Sequence, residues 1–260
     1  MMKIQDVLTP SFRLLRHQLG HDRPKDRRPM WQQRLSADSD FCRAVVSNGY
    51  LSEQQMQRAA QRYRLGKSRD GGVIFWQTDQ LEQLYDGKIM YYQPDCHRDH
   101  ERHPQWVTNL MKRHYLKGYD ELAASIPSIH CLFGTHLLNQ VPDTTPAAVV
   151  EAEKTAVILS ELLPHCLWLA AGGLYELTAQ KLFPLKGRKI ILFPDTDTER
   201  KAYGTWYRVM TEAQRLLNQP ILISPLLELE ATPEQKQRKI DLIDFLFDEQ
   251  PQTLNHHSQP

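Results

Sequence analysis

Residues 146 to 197, PAAVVEAEKTAVILSELLPHCLWLAAGGLYELTAQKLFPLKGRKIILFPDTD, narrow the fold more than any other stretch of the chain. Short apolar runs (AAVV, CLWLAA, KIILF) alternate with helical patterns (EKTAVILSELL, LYELTAQKLF). That βαβαβ rhythm predicts a parallel sheet joined by right-handed crossovers. A longer helix over TERKAYGTWYRVMTEAQRLLN then leads to a fourth strand, PILISP, and the chain closes with a helix around PEQKQRKIDLIDFLFDE and a polar tail.

In an open parallel sheet the carboxyl ends of the strands share one edge, where such folds bind ligands. AAVV ends at Glu151 and KIILF ends just before Asp195, so Glu151, Asp195 and Asp197 reach one rim from elements about 40 residues apart. Side chains i and i+2 of an extended chain point the same way, which predicts that Asp195 and Asp197 face Glu151 together. Three such carboxylates repel unless a cation lies among them, and oxygen ligands without Cys or His select Mg²⁺ or Mn²⁺. Ions held this way serve phosphoryl chemistry, with Glu151 as general base or as a further ligand. Capping competes with this reading. Asp197 or Thr198 is placed to cap the helix TERKAYGTW, and Glu151 and Glu153 suit the first turn of the preceding one. Both readings stand open on the residues alone.

The first half has a different texture. FCRAVVSNGY carries an apolar helical face, and LSEQQMQRAAQRYRLG offers Ser52 as N-cap and Gly66 as stop. Two β-rich runs, VIFWQ and KIMYY, follow, separated by a polar segment ending in Asp86-Gly87, which predicts an antiparallel hairpin turning at that pair. HPQWVTNLMKRHYLKGY and SIHCLFGTHLL are less periodic and read as mixed short elements.

At 260 residues and 41% hydrophobic, the chain has enough apolar content for one large domain or two smaller ones. The net charge of +1 conceals an asymmetry: Arg13, Arg16, Arg23, Lys25, Arg27, Arg28 and Arg34 crowd the N-terminus while acids collect later. Such an arm reads as a solvated segment or as a polyanion-binding end. Cys42, Cys96, Cys131 and Cys166 lack paired spacing, MMKIQDVLTPSF lacks a signal-like apolar stretch, and no run approaches the roughly 20 apolar residues that span a bilayer. The expectation is a cytoplasmic protein with no membrane partner. CHRDHERH, residues 96 to 103, groups Cys96 with His97, His100 and His103 but lacks a second ligand pair at finger spacing, so no zinc is expected.

Lys67, Lys88 and Lys112, with Trp76, Tyr92 and Trp106 nearby in sequence, are candidate contacts to a phosphate backbone and its bases. Lys154, one turn beyond Glu151, is placed either to touch a phosphate or to pair with an acid. Gly172 and Gly173 follow the second strand and suit either close backbone approach to a ligand or a tight turn.

VVEAEKTA, LAAGG and ILFPDTD, in that order, resemble the toprim fold, whose signature is a glutamate after the first strand, a Gly-rich turn after the second and an Asp-x-Asp after the third. The resemblance covers residues 146 to 225. It implies that Glu151, Asp195 and Asp197 hold Mg²⁺ for nucleotidyl transfer or phosphodiester cleavage. The preceding segment, with its helix, lone Leu65-Gly66, hairpin and Leu132-Phe133-Gly134, resembles the part of bacterial primases that precedes toprim. The pattern from about residue 41 to 248 is most similar to an uncharacterised family of toprim-like proteins carried on bacterial mobile elements. Departures are Ala152, where primases have glycine, and Thr196 between the aspartates. Asp241 and Asp244 correspond to the late acidic motif of primases at a different spacing, and no paired-cysteine zinc module is present.

The resulting expectation is an α/β protein. A basic arm spans 1 to 40, a primase-like α+β subdomain 41 to 139, a toprim parallel sheet flanked by helices 140 to 250, and a polar tail 251 to 260. The resemblance implies a Mg²⁺-dependent, primase-like nucleotidyltransferase serving replication of a mobile element. The alternatives are a toprim nuclease and a non-catalytic nucleic-acid-binding accessory. Expected partners are single-stranded DNA or another nucleic acid, nucleoside triphosphates, and a replication helicase or initiator.

Overall fold

The computed structural model describes residues 35–115, 117, 118 and 130–248. The basic arm up to residue 34 and the tail from 251 lie outside the described residues. The chain divides into two compact units that part after Cys131.

In the first unit, α1 (Asp40–Ser47) starts at Ser39, whose buried hydroxyl accepts the Cys42 N–H. The next helix, α2 (Glu53–Arg62), carries a full capping box between Ser52 and Gln55. It ends before the expected stop. Tyr63 caps it, Arg64 takes a left-handed φ of 55°, and Gly66 already belongs to strand β1 (Gly66–Lys67). With β2 (Val73–Thr78), β3 (Leu84–Met90) and β4 (Gln105–Trp106), β1 forms an antiparallel sheet in the order β1-β2-β3-β4.

Every residue of β2 is buried because both faces of the sheet are covered. On one face Phe75 meets Phe41 of α1 edge-on, with ring centroids 5.7 Å apart. On the other, Ile74, Trp76, Ile89 and Tyr91 pack against Val107 and Leu110 of α3 (Val107–Tyr115).

The hairpin forms, but Asp86-Gly87 is not its turn. Gln77 pairs with Asp86 and Trp76 with Gly87 inside the ladder. The chain reverses over 79 to 83, where the Asp79 carboxylate accepts the N–H groups of Leu81 and Gln83. Gly87 is there for packing: a Cβ would stand 2.6 Å from the Trp76 ring. Buried Asp86 accepts the N–H groups of Gly87 and Thr108, so it ties β3 to the first turn of α3.

The second unit holds a four-stranded parallel sheet flanked by helices, in the order β6-β5-β7-β8. Its strands are β5 (Ala147–Val150), β6 (Leu167–Ala170), β7 (Ile190–Phe193) and β8 (Ile221–Ile223), all within the runs expected. Central β5 is almost wholly excluded from solvent, as a strand covered on both faces must be. Helix α4 (Glu153–Leu162) follows β5 and packs on β5 and β6.

Two expected helices differ. LYELTAQKLF does not form an α-helix: a 3₁₀ helix over Gln180–Leu185 makes the crossover, with Pro184 inside it withholding a backbone donor. The last helix is broken into α7 (Pro233–Arg238) and α8 (Leu242–Asp248), after α5 (Lys201–Leu217) and the short α6 (Leu226–Glu230). The break falls at Lys239, which has a left-handed φ of 56°. Arg188, two residues before β7, donates to the carbonyls of Leu138 and Val141 and pairs with Asp143, anchoring the segment that leads into β5.

Replacing Gly87 with alanine should lower folding stability by about 1–3 kcal/mol, since the Trp76 ring has to move. Urea unfolding of the full chain, followed by tryptophan fluorescence, checks this. An unchanged midpoint would contradict the packing role.

Candidate functional site

β5 and β7 pair in parallel with Val150 opposite Phe193, and on the other side Val150 lies opposite Ala170. The three strands therefore end in step. Glu151 follows one end, Asp195 lies two residues past another, and Gly172-Gly173 lies past the third. The Gly172 N–H donates to the Glu151 carbonyl at 2.9 Å, continuing the β5–β6 ladder by one step. Gly172 and Gly173 have φ of 95° and 152°, so this turn needs glycine for its backbone.

Asp195 is the electrostatic centre of the rim. Burial and then the charges of Glu151, Asp241 and Asp244 push its carboxyl well above the usual carboxylate range, opposed by Lys154. The Lys154 ammonium lies 3.3 Å from Asp241 Oδ2 and 3.5 Å from Asp244 Oδ1, and all three side chains are largely buried. Of its two sequence readings, pairing with acids is the one the geometry adopts.

Asp241 has two tasks. Its Oδ1 accepts the N–H groups of Ile243 and Asp244 and so caps α8, while its Oδ2 accepts the Thr155 hydroxyl at 2.7 Å. Burial raises the Asp241 carboxyl, but Lys154 and then Thr155 outweigh that and hold it below its ordinary value.

Asp197 is placed differently. The strand stops at Phe193, so the i, i+2 alternation that would have turned Asp195 and Asp197 together does not continue to them. Asp197 Oδ1 accepts the N–H groups of Glu199 and Lys201, and Oδ2 accepts that of Ala202 at 2.8 Å. Both oxygens serve the start of α5. Against burial, which raises it, these N–H groups and Lys239 hold the carboxyl below its usual value. Among the described residues no group of three or more His, Cys, Asp or Glu side chains is arranged to hold a metal ion.

The remaining expected contacts are scattered through the first unit. Lys67 pairs with Asp38 at 2.8 Å. Lys88 is buried in β3, opposite Phe75 on β2 and Trp106 on β4. Lys112 lies on α3. The sequence singles out Asp241 and Asp244 by resemblance but does not pair them with Lys154, because its pattern reads as one continuous helix through both. The available signal was Asp-x-x-Asp ahead of an apolar run, which marks a helix start.

The rim and its sheet define a mixed α/β protein with a charged cluster at the carboxyl edge of a parallel sheet. The chain belongs to the family described as Domain of unknown function (DUF6371), whose model matches residues 39–196. No curated protein is matched. Among solved structures, it is similar to the primase fragment of the bacteriophage T7 primase-helicase protein, at 18% identity and a TM-score of 0.40. That likeness covers 70% of this chain and 63% of the phage fragment, so the chain spans less than two thirds of its neighbour. Among the described residues no helix is long and apolar enough to cross a membrane.

Lys154→Met should lower stability by about 3–5 kcal/mol at neutral pH, because it leaves buried Asp241 and Asp244 uncompensated. The sign with pH follows from Asp241. Its depressed carboxyl stabilises the fold above the unfolded value of about 3.9, and that stabilisation is lost as pH falls through the folded value. The variant lacks the partner responsible, so its deficit should shrink in acid. Denaturation of both chains from neutral to acid pH checks this, and a deficit independent of pH would contradict it.

Proposed function

We propose that this chain is a toprim-type enzyme that uses Mg²⁺ or Mn²⁺ for primase-like nucleotidyl transfer on a nucleic acid. The observation that carries the reading is the half-buried carboxyl of Asp195, set among the charges of Glu151, Asp241 and Asp244 past the carboxyl end of β7 in the parallel sheet. A fold driven by stability alone has no use for a carboxylate that its neighbours disfavour.

The residues suit a hard divalent cation. Glu151 and Asp195 are oxygen donors, and their mutual repulsion is what such an ion relieves. One or two carboxylates completed by waters and substrate phosphates is the usual protein share of a Mg²⁺ site. The chemistry an ion held by these residues would supply is neutralisation of charge developing on a phosphate. Asp195 is then a ligand, and Glu151 serves either as a further ligand or as the general base that takes a proton from an attacking hydroxyl. Lys154 holds Asp241 and Asp244 behind them, and Asp197 fixes the start of α5 through its three backbone contacts. The VVEAEKTA, LAAGG and ILFPDTD motifs support the same assignment, as does the register that brings their ends together. Nucleoside triphosphates and a single-stranded template are the substrates this reading requires, and a helicase or initiator of a mobile element is the partner that fits it.

Primer synthesis with labelled nucleotides, a single-stranded template and Mn²⁺ tests the proposal. Native protein should yield product, and Glu151→Gln or Asp195→Asn should reduce it by on the order of 100-fold or more. DNA cleavage abolished by Asp195→Asn, without synthesis, would assign hydrolysis to the same ion. Neither activity in the native protein would overturn the reading.

A further inference from the structure

Beside the acidic rim, the second unit carries an exposed row of rings and cations that the proposed chemistry leaves unused. Tyr175 and Tyr207 are 66% and 50% exposed, large fractions for aromatic side chains. On α5, Tyr203 and Tyr207 lie one turn apart with nearly parallel rings, centroids 6.3 Å apart and planes at 21°. The Arg200 guanidinium stands 5.6 Å from the centre of the Tyr203 ring, and the Lys201 ammonium 5.5 Å from that of Tyr175. Arg208 is exposed one residue beyond Tyr207.

Arg200, Tyr203, Gly204 and Tyr207 line an open cleft of about 330 Å³. Gly204 lies between the two tyrosines in the helix, and an added Cβ there would meet nothing within 4 Å. Glycine inside a helix costs about 1 kcal/mol relative to alanine, and here no neighbour requires it. Its effect is to keep the space between the two rings open.

The place of this row is set by the rim. α5 begins at Lys201, four residues after Asp197, whose carboxylate accepts the N–H groups of Lys201 and Ala202. Tyr175 follows Gly172-Gly173, and the Trp206 indole N–H donates to the Leu174 carbonyl at 3.1 Å, fastening that turn to α5. The rings and cations therefore flank the carboxyl ends of β6 and β7.

We infer that Tyr175, Tyr203 and Tyr207, with Arg200, Lys201 and Arg208, form a stacking platform for a single strand of nucleic acid led towards the acidic rim. Charge and shape favour that occupant. Ring faces stack on bases of any sequence, and cations spaced between them match a phosphate backbone. Buried Glu228 holds the Arg200 Nε at 2.9 Å, orienting the guanidinium. Glu199 and Glu212 are exposed acids flanking the row in sequence, and Glu176, next to Tyr175, pairs with Lys181. The inference rests on the nucleic-acid reading above and adds the surface that would hold the strand.

Anisotropy of a fluorescent oligothymidylate with the full chain, in EDTA, tests it. Tyr207→Ala and Tyr175→Ala should each weaken binding about 5- to 150-fold, the range for losing one stacked base. Tyr207→Phe, which keeps the ring, should bind as the native chain does. Lys201→Gln and Arg208→Gln should each flatten the salt dependence by about 0.7 in the slope of log affinity against log salt. Native affinity in Tyr207→Ala, or no binding of the oligonucleotide by the native chain, would overturn the platform. So would an acidic peptide that binds with the same tyrosine dependence where the oligonucleotide does not. Failure of the metal reading shows separately, as absence of Mn²⁺-dependent product from a protein whose strand binding still depends on Tyr207.

Discussion

The in-step parallel pairing of β5 with β6 and β7 is the constraint on which the rest of the second unit depends. Backbone hydrogen bonds hold Val150 level with Ala170 and Phe193, so the residues after each strand meet at one edge whatever their charge. A slip of one residue would move every side chain of the slipped strand to the opposite face of the sheet. The acids at the rim are therefore held together by the stability of apolar strands that have no chemistry of their own.

Bringing those acids together creates an imbalance that the structure resolves for three of them and leaves standing at Asp195. Asp197 is satisfied by backbone N–H groups and doubles as the cap of α5. Asp241 and Asp244 share the Lys154 ammonium, which also attaches α8 to α4. At Asp195 desolvation, and then the neighbouring acids, disfavour the charged carboxylate. A group kept in an unfavourable state by well-ordered surroundings is the usual mark of a site built to receive a ligand of opposite charge. The aromatic row on α5 extends the same logic outward, since exposed rings and cations have no role in the core.

The parallel sheet was legible because its strands are pure apolar runs with acids or glycines at their ends, and the period of such runs needs no tertiary information. What misled was punctuation. Asp86-Gly87 resembles a hairpin turn, yet the glycine is required by the Trp76 ring across the strand pair, a contact local patterning does not reveal. Gly66 resembles a helix stop, but Arg64 supplies the left-handed residue and the glycine enters a strand. At the rim, Glu151 and Asp195 were legible as strand-end acids. The division of labour between Asp195 and Asp197 was not, because it depends on where the strand stops and which carboxylate α5 captures. The tyrosine row was unread for a similar reason: helical spacing brings Tyr203 and Tyr207 together, but only the fold brings Tyr175 to Lys201 at the start of the same helix.

The central claim is that Asp195 is held at the expense of stability so that a cation can bind, and thermal unfolding of the native chain and Asp195→Asn tests it most directly. A raised carboxyl costs stability at neutral pH, a cost relieved only as pH falls through the folded value. Without metal at neutral pH, Asp195→Asn should therefore melt above the native chain. Mn²⁺ should raise the native midpoint, by about 2.7 kcal/mol of stabilisation at 100 times its dissociation constant, and leave the variant unmoved. A variant that melts below the native chain, or an equal response of both to Mn²⁺, would contradict the account.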